Sequence, residues 1–186
     1  MSPFEFVFAL ISIITSLALT TIIAGVIRIL RHPGRTDTSA THALWMWVAF
    51  ALVIGNWGGL WHARAYPLWP TPRVLVWVAA MTSLYAFSAL VVPETSSSRP
   101  LNLRLFHESE GRKYILAHNL FALLAIPVLL LEHAPNSGID DFLPAIVAFA
   151  LGTVAFFTRG RVQLMTSLLV AVLATAYMVT KTSIIP

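Results

Sequence analysis

The chain has 186 residues, of which 58% are hydrophobic and 11% charged, with a mean hydropathy of +0.79 and a formal net charge of +4. Soluble domains carry about a quarter charged residues, so this chain cannot clothe a water-facing surface of ordinary polarity, and lipid is its expected solvent. Cysteine is absent, which excludes disulfides, thiol nucleophiles and thiolate metal centres.

A spanning helix needs roughly 20 apolar residues, and six segments approach that length: 4–30, 43–61, 74–92, 114–131, 142–157 and 162–180. The expected fold is all-α, a single transmembrane bundle over residues 1–186 with six spans. The first segment is too long for a signal-peptide core and is followed by Arg28, Arg31 and Arg35, so it reads as an uncleaved anchor. Along it, Ser12, Ser16 and Thr20 recur every four residues and share one helix face. That face is either a packing seam of small hydroxyl residues or a polar lining.

The second segment carries Gly55-Asn56-Trp57-Gly58-Gly59. Gly55 and Gly59 allow close packing, and an amide in hydrocarbon needs a partner. Antiparallel contact between consecutive helices would give Asn56 a hydroxyl at Ser12 or Ser16, or at Thr82 or Ser83 on the third. Trp45 and Trp47 read as anchors at one interface, and Trp57, Trp61, Trp69 and Trp77 at the other. Glu5 lies at the same end as Arg64 and Arg73, and either arginine is a suitable pair for it.

The connection 94–112 is the longest. It reads as a flexible stretch followed by a surface-lying segment, Leu101–Phe106. No connection is long enough for a soluble domain. Nine of the 12 basic residues fall in or beside the first, third and fifth connections. The positive-inside rule makes those cytoplasmic and puts both termini outside. Basic residues placed this way set orientation, and nucleic acid is not an expected partner.

His42 and His118 sit toward one end of the second and fourth segments, and His62 and His133 toward the other. Paired intramembrane histidines suit haem or pigment ligation, while rim histidines are ordinary. Glu132, His133, Asp140 and Asp141 could together hold a metal, but Asp140 and Asp141 at the entry to the fifth segment read better as helix caps. No span core contains a charged residue, and no catalytic motif occurs.

The opening Met1-Ser-Pro-Phe-Glu-Phe-Val-Phe-Ala-Leu-Ile-Ser-Ile-Ile, the turn Trp57…Trp61-His-Ala-Arg64 and the close Val92-Pro93-Glu94 resemble small polytopic bacterial inner-membrane proteins. The resemblance covers about the first half of the chain. It implies that membrane as the location and carries no activity. Three functions are expected to compete. The first is a non-enzymatic accessory or scaffold subunit, or a lipid- or pigment-associated protein. The second is a small transporter or channel for a neutral or hydrophobic solute, and the third a haem-binding redox protein. Membrane lipids and other membrane subunits are the expected partners.

Overall fold

A computed structural model describes residues 3–31, 37–65, 68–94, 101–132 and 142–183. Six α-helices account for most of them: α1 (Pro3–Leu30), α2 (Ala40–His62), α3 (Thr71–Val91), α4 (Leu103–Glu132), α5 (Leu143–Phe157) and α6 (Gly160–Thr182). Five are long and apolar enough to cross a bilayer, and α5, with 15 residues, is shorter. At 1.5 Å per residue α5 reaches about 22 Å.

The largest departure from expectation is the start of α4. It begins at Leu103, not near Tyr114, and runs for 30 residues, about 45 Å. The segment expected to lie on a membrane surface is therefore the first turn of a helix, with Leu101 and Leu103 buried. Asn102 explains the start. Its Oδ1 accepts from the Leu105 amide at 2.8 Å, and its Nδ2 donates to Asp37 Oδ2 at 3.0 Å. Backbone bonds Asp37 N–H to Leu101 O and Leu103 N–H to Asp37 O complete a short bridge between the chain before α2 and the chain before α4. The pairs Arg104–Glu108 and Glu110–Lys113 then support the charged first turns at helical spacing.

Packing order differs from chain order. Helix α2 packs against α6, α6 against α5, α5 against α4, α4 against α3 and α3 against α2. These five close a ring, and α1 lies outside it, against α3 and α2. The buried face of α1 is Val7, Ile11, Thr15, Ala18 and Ile22, spaced three or four residues apart as one helix face requires. Gly25 continues it, because a Cβ there would press on Val92. The Ser12/Ser16/Thr20 face is turned away from this seam: Ser16 and Thr20 are exposed and only Ser12 is half-buried. The expected seam is thus corrected by about one residue of helix rotation. The larger apolar side chains took the interior.

The second correction concerns the glycines of α2. They face α6, where Cβ atoms at Gly55 and Gly58 would collide with Tyr177 and with the Lys181 carbonyl. Helices α1 and α2 are neighbours, but their small-residue faces do not meet.

Every long helix also turns large apolar side chains outward, including Phe6, Leu17, Leu75, Leu116 and Leu169. Together with their length, this marks an integral membrane protein. Trp47, Trp57 and Trp61 face outward as expected of anchors, but Trp45 and Trp77 are buried core residues.

Candidate functional site

The two ends of the five-helix ring are built differently. The end where the chain begins and finishes will be called the terminal end, and the opposite one the basic end. At the basic end the ring is filled by rings of another kind. His42, on the first turn of α2, is wholly buried and meets Phe106 edge-on at 5.2 Å between centroids, with Tyr114 at 6.1 Å. Trp45, one turn on, is also wholly buried and stands edge-on to Phe87 of α3 and to His118 of α4. Phe87 closes the set by packing on His118 at 5.6 Å.

A directed chain of hydrogen bonds ties this seal to α5 and α6. Gln163 Nε2 donates to the Ala155 carbonyl at 3.1 Å, which leaves Gln163 Oε1 as an acceptor for His107 Nε2–H, also at 3.1 Å. His107 Nδ1 is then the acceptor for the Tyr114 hydroxyl. Gly111 makes room between the last two, since a Cβ there would sit 3.1 Å from His107 Nδ1. His107 was not among the histidines expected to matter. It fell in what read as a loop, and only the early start of α4 places it on the same helix face as Tyr114, about two turns away.

Above the seal, the same five helices part around a cavity of about 450 Å³. Its wall is mostly alanine, leucine, valine and phenylalanine. Along α4 the lining runs from His118 to Leu129, about 16 Å of helix. His118 forms the floor. Asn56, Trp77, Tyr177 and Lys181 form a polar collar toward the terminal end. Ligand pockets of about 300–1,000 Å³ with apolar walls and a few polar groups are the usual form of small-molecule sites.

The polarity of the floor is fixed by three residues. Thr153 Oγ1 donates to the Phe149 carbonyl at 2.8 Å, so its oxygen accepts from Asn119 Nδ2 at 3.4 Å. Asn119 Oδ1 consequently faces His118 Nδ1 at 3.2 Å. The proton therefore belongs on Nδ1, and Nε2 carries a lone pair. Gly152 permits this arrangement: a Cβ at that position would overlap Asn119 Oδ1 and reach His118 Nδ1 at 3.0 Å.

At the collar, Asn56 is buried and donates Nδ2–H to the Leu52 carbonyl at 2.8 Å. Its Oδ1 accepts from the Tyr177 hydroxyl at 3.4 Å. The neighbouring-helix partner is thus on α6, correcting the expected Ser12, Ser16, Thr82 or Ser83. Ser83 instead donates to the Ala117 carbonyl of α4. Trp77 Nε1 is buried without a hydrogen-bond partner among the described residues. Lys181 Nζ lies 6.0 Å from the Tyr177 ring centroid.

The other expected site residues among those described do not line this cavity. Arg64 stacks on Trp61 at 4.5 Å. Arg73 donates to the carbonyls of Leu68 and Leu131, joining the α2–α3 turn to the end of α4. Glu5 is exposed on the first turn of α1, and its neighbour Phe4 touches Trp69. His62 is the last residue of α2, and His133 lies outside the described residues. Of the two histidines expected at the basic end, only His118 lines the cavity; His42 is enclosed by aromatic rings. They do not face a shared space that would take a haem between them. Among the described residues no group of three or more His, Asp or Glu is placed to hold a metal ion.

No protein-family model, curated protein or solved structure matches the chain. The functional reading therefore rests on the geometry.

Proposed function

We propose that this chain is a non-enzymatic, lipid-associated protein of a bacterial inner membrane, with both termini outside, that holds a lipophilic molecule within its helix ring. The carrying observation is the cavity of about 450 Å³, apolar along its walls and polar only at floor and collar. A ring of five helices closed at one end and hollow at the other is a receptacle, not a continuous path. That favours binding over transport across the bilayer. The enclosed His42 likewise argues against paired haem ligation.

Purification from native membranes in mild detergent, followed by solvent extraction and mass spectrometry, tests the reading. A lipophile enriched near one per chain over bulk lipid is the expected result. A bulk-lipid profile overturns it, and a Soret band in the absorbance spectrum would transfer the function to redox chemistry. A scaffold role is the second reading. It is favoured by Ser16 and Thr20, hydroxyl residues exposed midway along α1 where another subunit's helix would pack.

A further inference from the structure

Resting on the lipophile-binding reading, we propose that the ligand is a neutral, slender lipophile ending in a hydroxyl group. It enters hydroxyl first and donates its hydrogen bond to His118 Nε2 at the cavity floor.

Thr153, Asn119 and His118 form a hydrogen-bonded relay. It holds the imidazole in the tautomer whose Nδ1 is protonated, so the nitrogen without a protein partner among the described residues is an acceptor. An acceptor buried in apolar surroundings without a donor is destabilising. Trp45 and Phe87 pack on the imidazole ring, and neither lines the cavity. A lone water is a poor substitute, since a buried water is held by two to four polar partners. On α4 the cavity wall within one turn of His118 is Phe121 and Ala122, neither of which offers a side-chain hydrogen bond. The collar donors lie far above: Phe87, against His118, is ten residues from Trp77 on α3, about 15 Å along the helix. A hydroxyl tethered to a chain fits both facts. The chain covers the apolar wall, and the hydroxyl satisfies the floor. An ether or ester of the same length would present one acceptor to another.

The site also has a reason for Gly152. Any side chain there would displace Asn119 Oδ1 and free the imidazole to take either tautomer. A bundle that needed only tight packing could fill the space with alanine and dispense with the amide.

The test is native mass spectrometry of the full chain released from detergent micelles. It is titrated with hexadecan-1-ol and, separately, with hexadecyl methyl ether. The alcohol should bind about tenfold more tightly, the difference made by one buried hydrogen bond. His118→Phe should erase that preference while still binding both probes. Because His118→Phe could disturb the seal, ¹⁵N NMR of histidine-labelled wild-type chain supplies an independent reading. It should show a protonated Nδ1, and an Nε2 resonance that shifts with the alcohol and not with the ether. Equal affinity for the two probes, or a protonated Nε2, overturns the hydroxyl inference and leaves the cavity reading standing. Failure of both probes to bind overturns both.

Discussion

Trp45 and Trp77 are the same residue type, both buried, on adjacent helices of one ring, yet they border opposite kinds of interior. Trp45 is enclosed by Phe87, Tyr114 and His118 at centroid distances of 5.1–6.1 Å. Trp77 packs against Trp69 and also lines the cavity. The basic end spends its aromatic residues on closure, and the terminal half keeps small residues where closure would need large ones. Ala80, Ala122, Ala125, Ala145, Ala148 and Ala174 all line the cavity. In a membrane the hydrophobic effect does not drive helices together, so packing and hydrogen bonding decide where a bundle is tight. The alanines leave the terminal half of the ring less tightly filled than the seal.

Truncating both tryptophans should separate the two ends of the ring most strongly. Trp45→Ala empties a fully packed site, where large-to-small changes cost about 3–5 kcal/mol. Trp77→Ala enlarges a cavity that already exists and should cost clearly less, because fewer contacts are lost. Thermal unfolding in detergent reads both. Equal losses would mean that the cavity is as well packed in solution as the seal.

Next in size is Gly152→Ala. Its methyl group must push Asn119 aside or move α5 away from α4. Overpacking of this kind costs about 1–3 kcal/mol. Gly160 is the control. Its φ of +63° makes alanine strained there, but nothing lies within 4 Å of the added Cβ. A Gly160→Ala change should cost about 1 kcal/mol and leave the His118 tautomer untouched. If both changes act alike on the histidine ¹⁵N spectrum, Gly152 has no special part in the relay.

Much of this architecture was legible in the sequence, and its failures have physical causes. Helix number and type followed from apolar run lengths, with five of the six helices long enough to span a bilayer. The start of α4 did not, because Arg104, Glu108, Glu110, Arg112 and Lys113 make residues 103–113 look like loop. Helical salt-bridge spacing and the Asn102 cap override that polarity. His107 was lost with it. The burial side of α1 was misjudged because small residues every four positions mimic a seam. The true seam, Val7-Ile11-Thr15-Ala18-Ile22, recurs equally well and carries more packing surface. Which helices touch was the least legible. Asn56 announced that it needed a partner, but nothing local distinguishes Ser12 from Tyr177, which is 121 positions away.

Within the seal, Tyr114→Phe tests whether its polar chain matters as much as its rings. The phenyl ring keeps the contacts with Phe106 and Trp45 but leaves His107 Nδ1 without its donor. An orphaned buried acceptor costs about 1–3 kcal/mol. A melt unchanged from wild type would show that water already serves His107, and that the seal is wetter than its packing implies.

The smallest effect should come at the collar, from Asn56→Leu. The amide makes one short bond, Nδ2–H to the Leu52 carbonyl of its own helix at 2.8 Å, and one long one, from the Tyr177 hydroxyl at 3.4 Å. A helix carbonyl already accepts within the helix, so losing the second donor leaves it satisfied. A 3.4 Å bond is near the limit of useful geometry, and interhelical bonds in membranes average about 0.6 kcal/mol. Leucine, of comparable size, should therefore keep α2 against α6 at a cost below about 1 kcal/mol, since Gly55 and not Asn56 sets the approach to Tyr177. The change also makes the cavity more apolar at the collar without touching its floor. Alcohol binding measured by native mass spectrometry should hold or tighten slightly, and the preference for alcohol over ether should persist, because it originates at His118. A large loss of stability would show that the collar, like the seal, is held by a cooperative polar network, and the contrast between the two ends of the ring would then be one of shape alone.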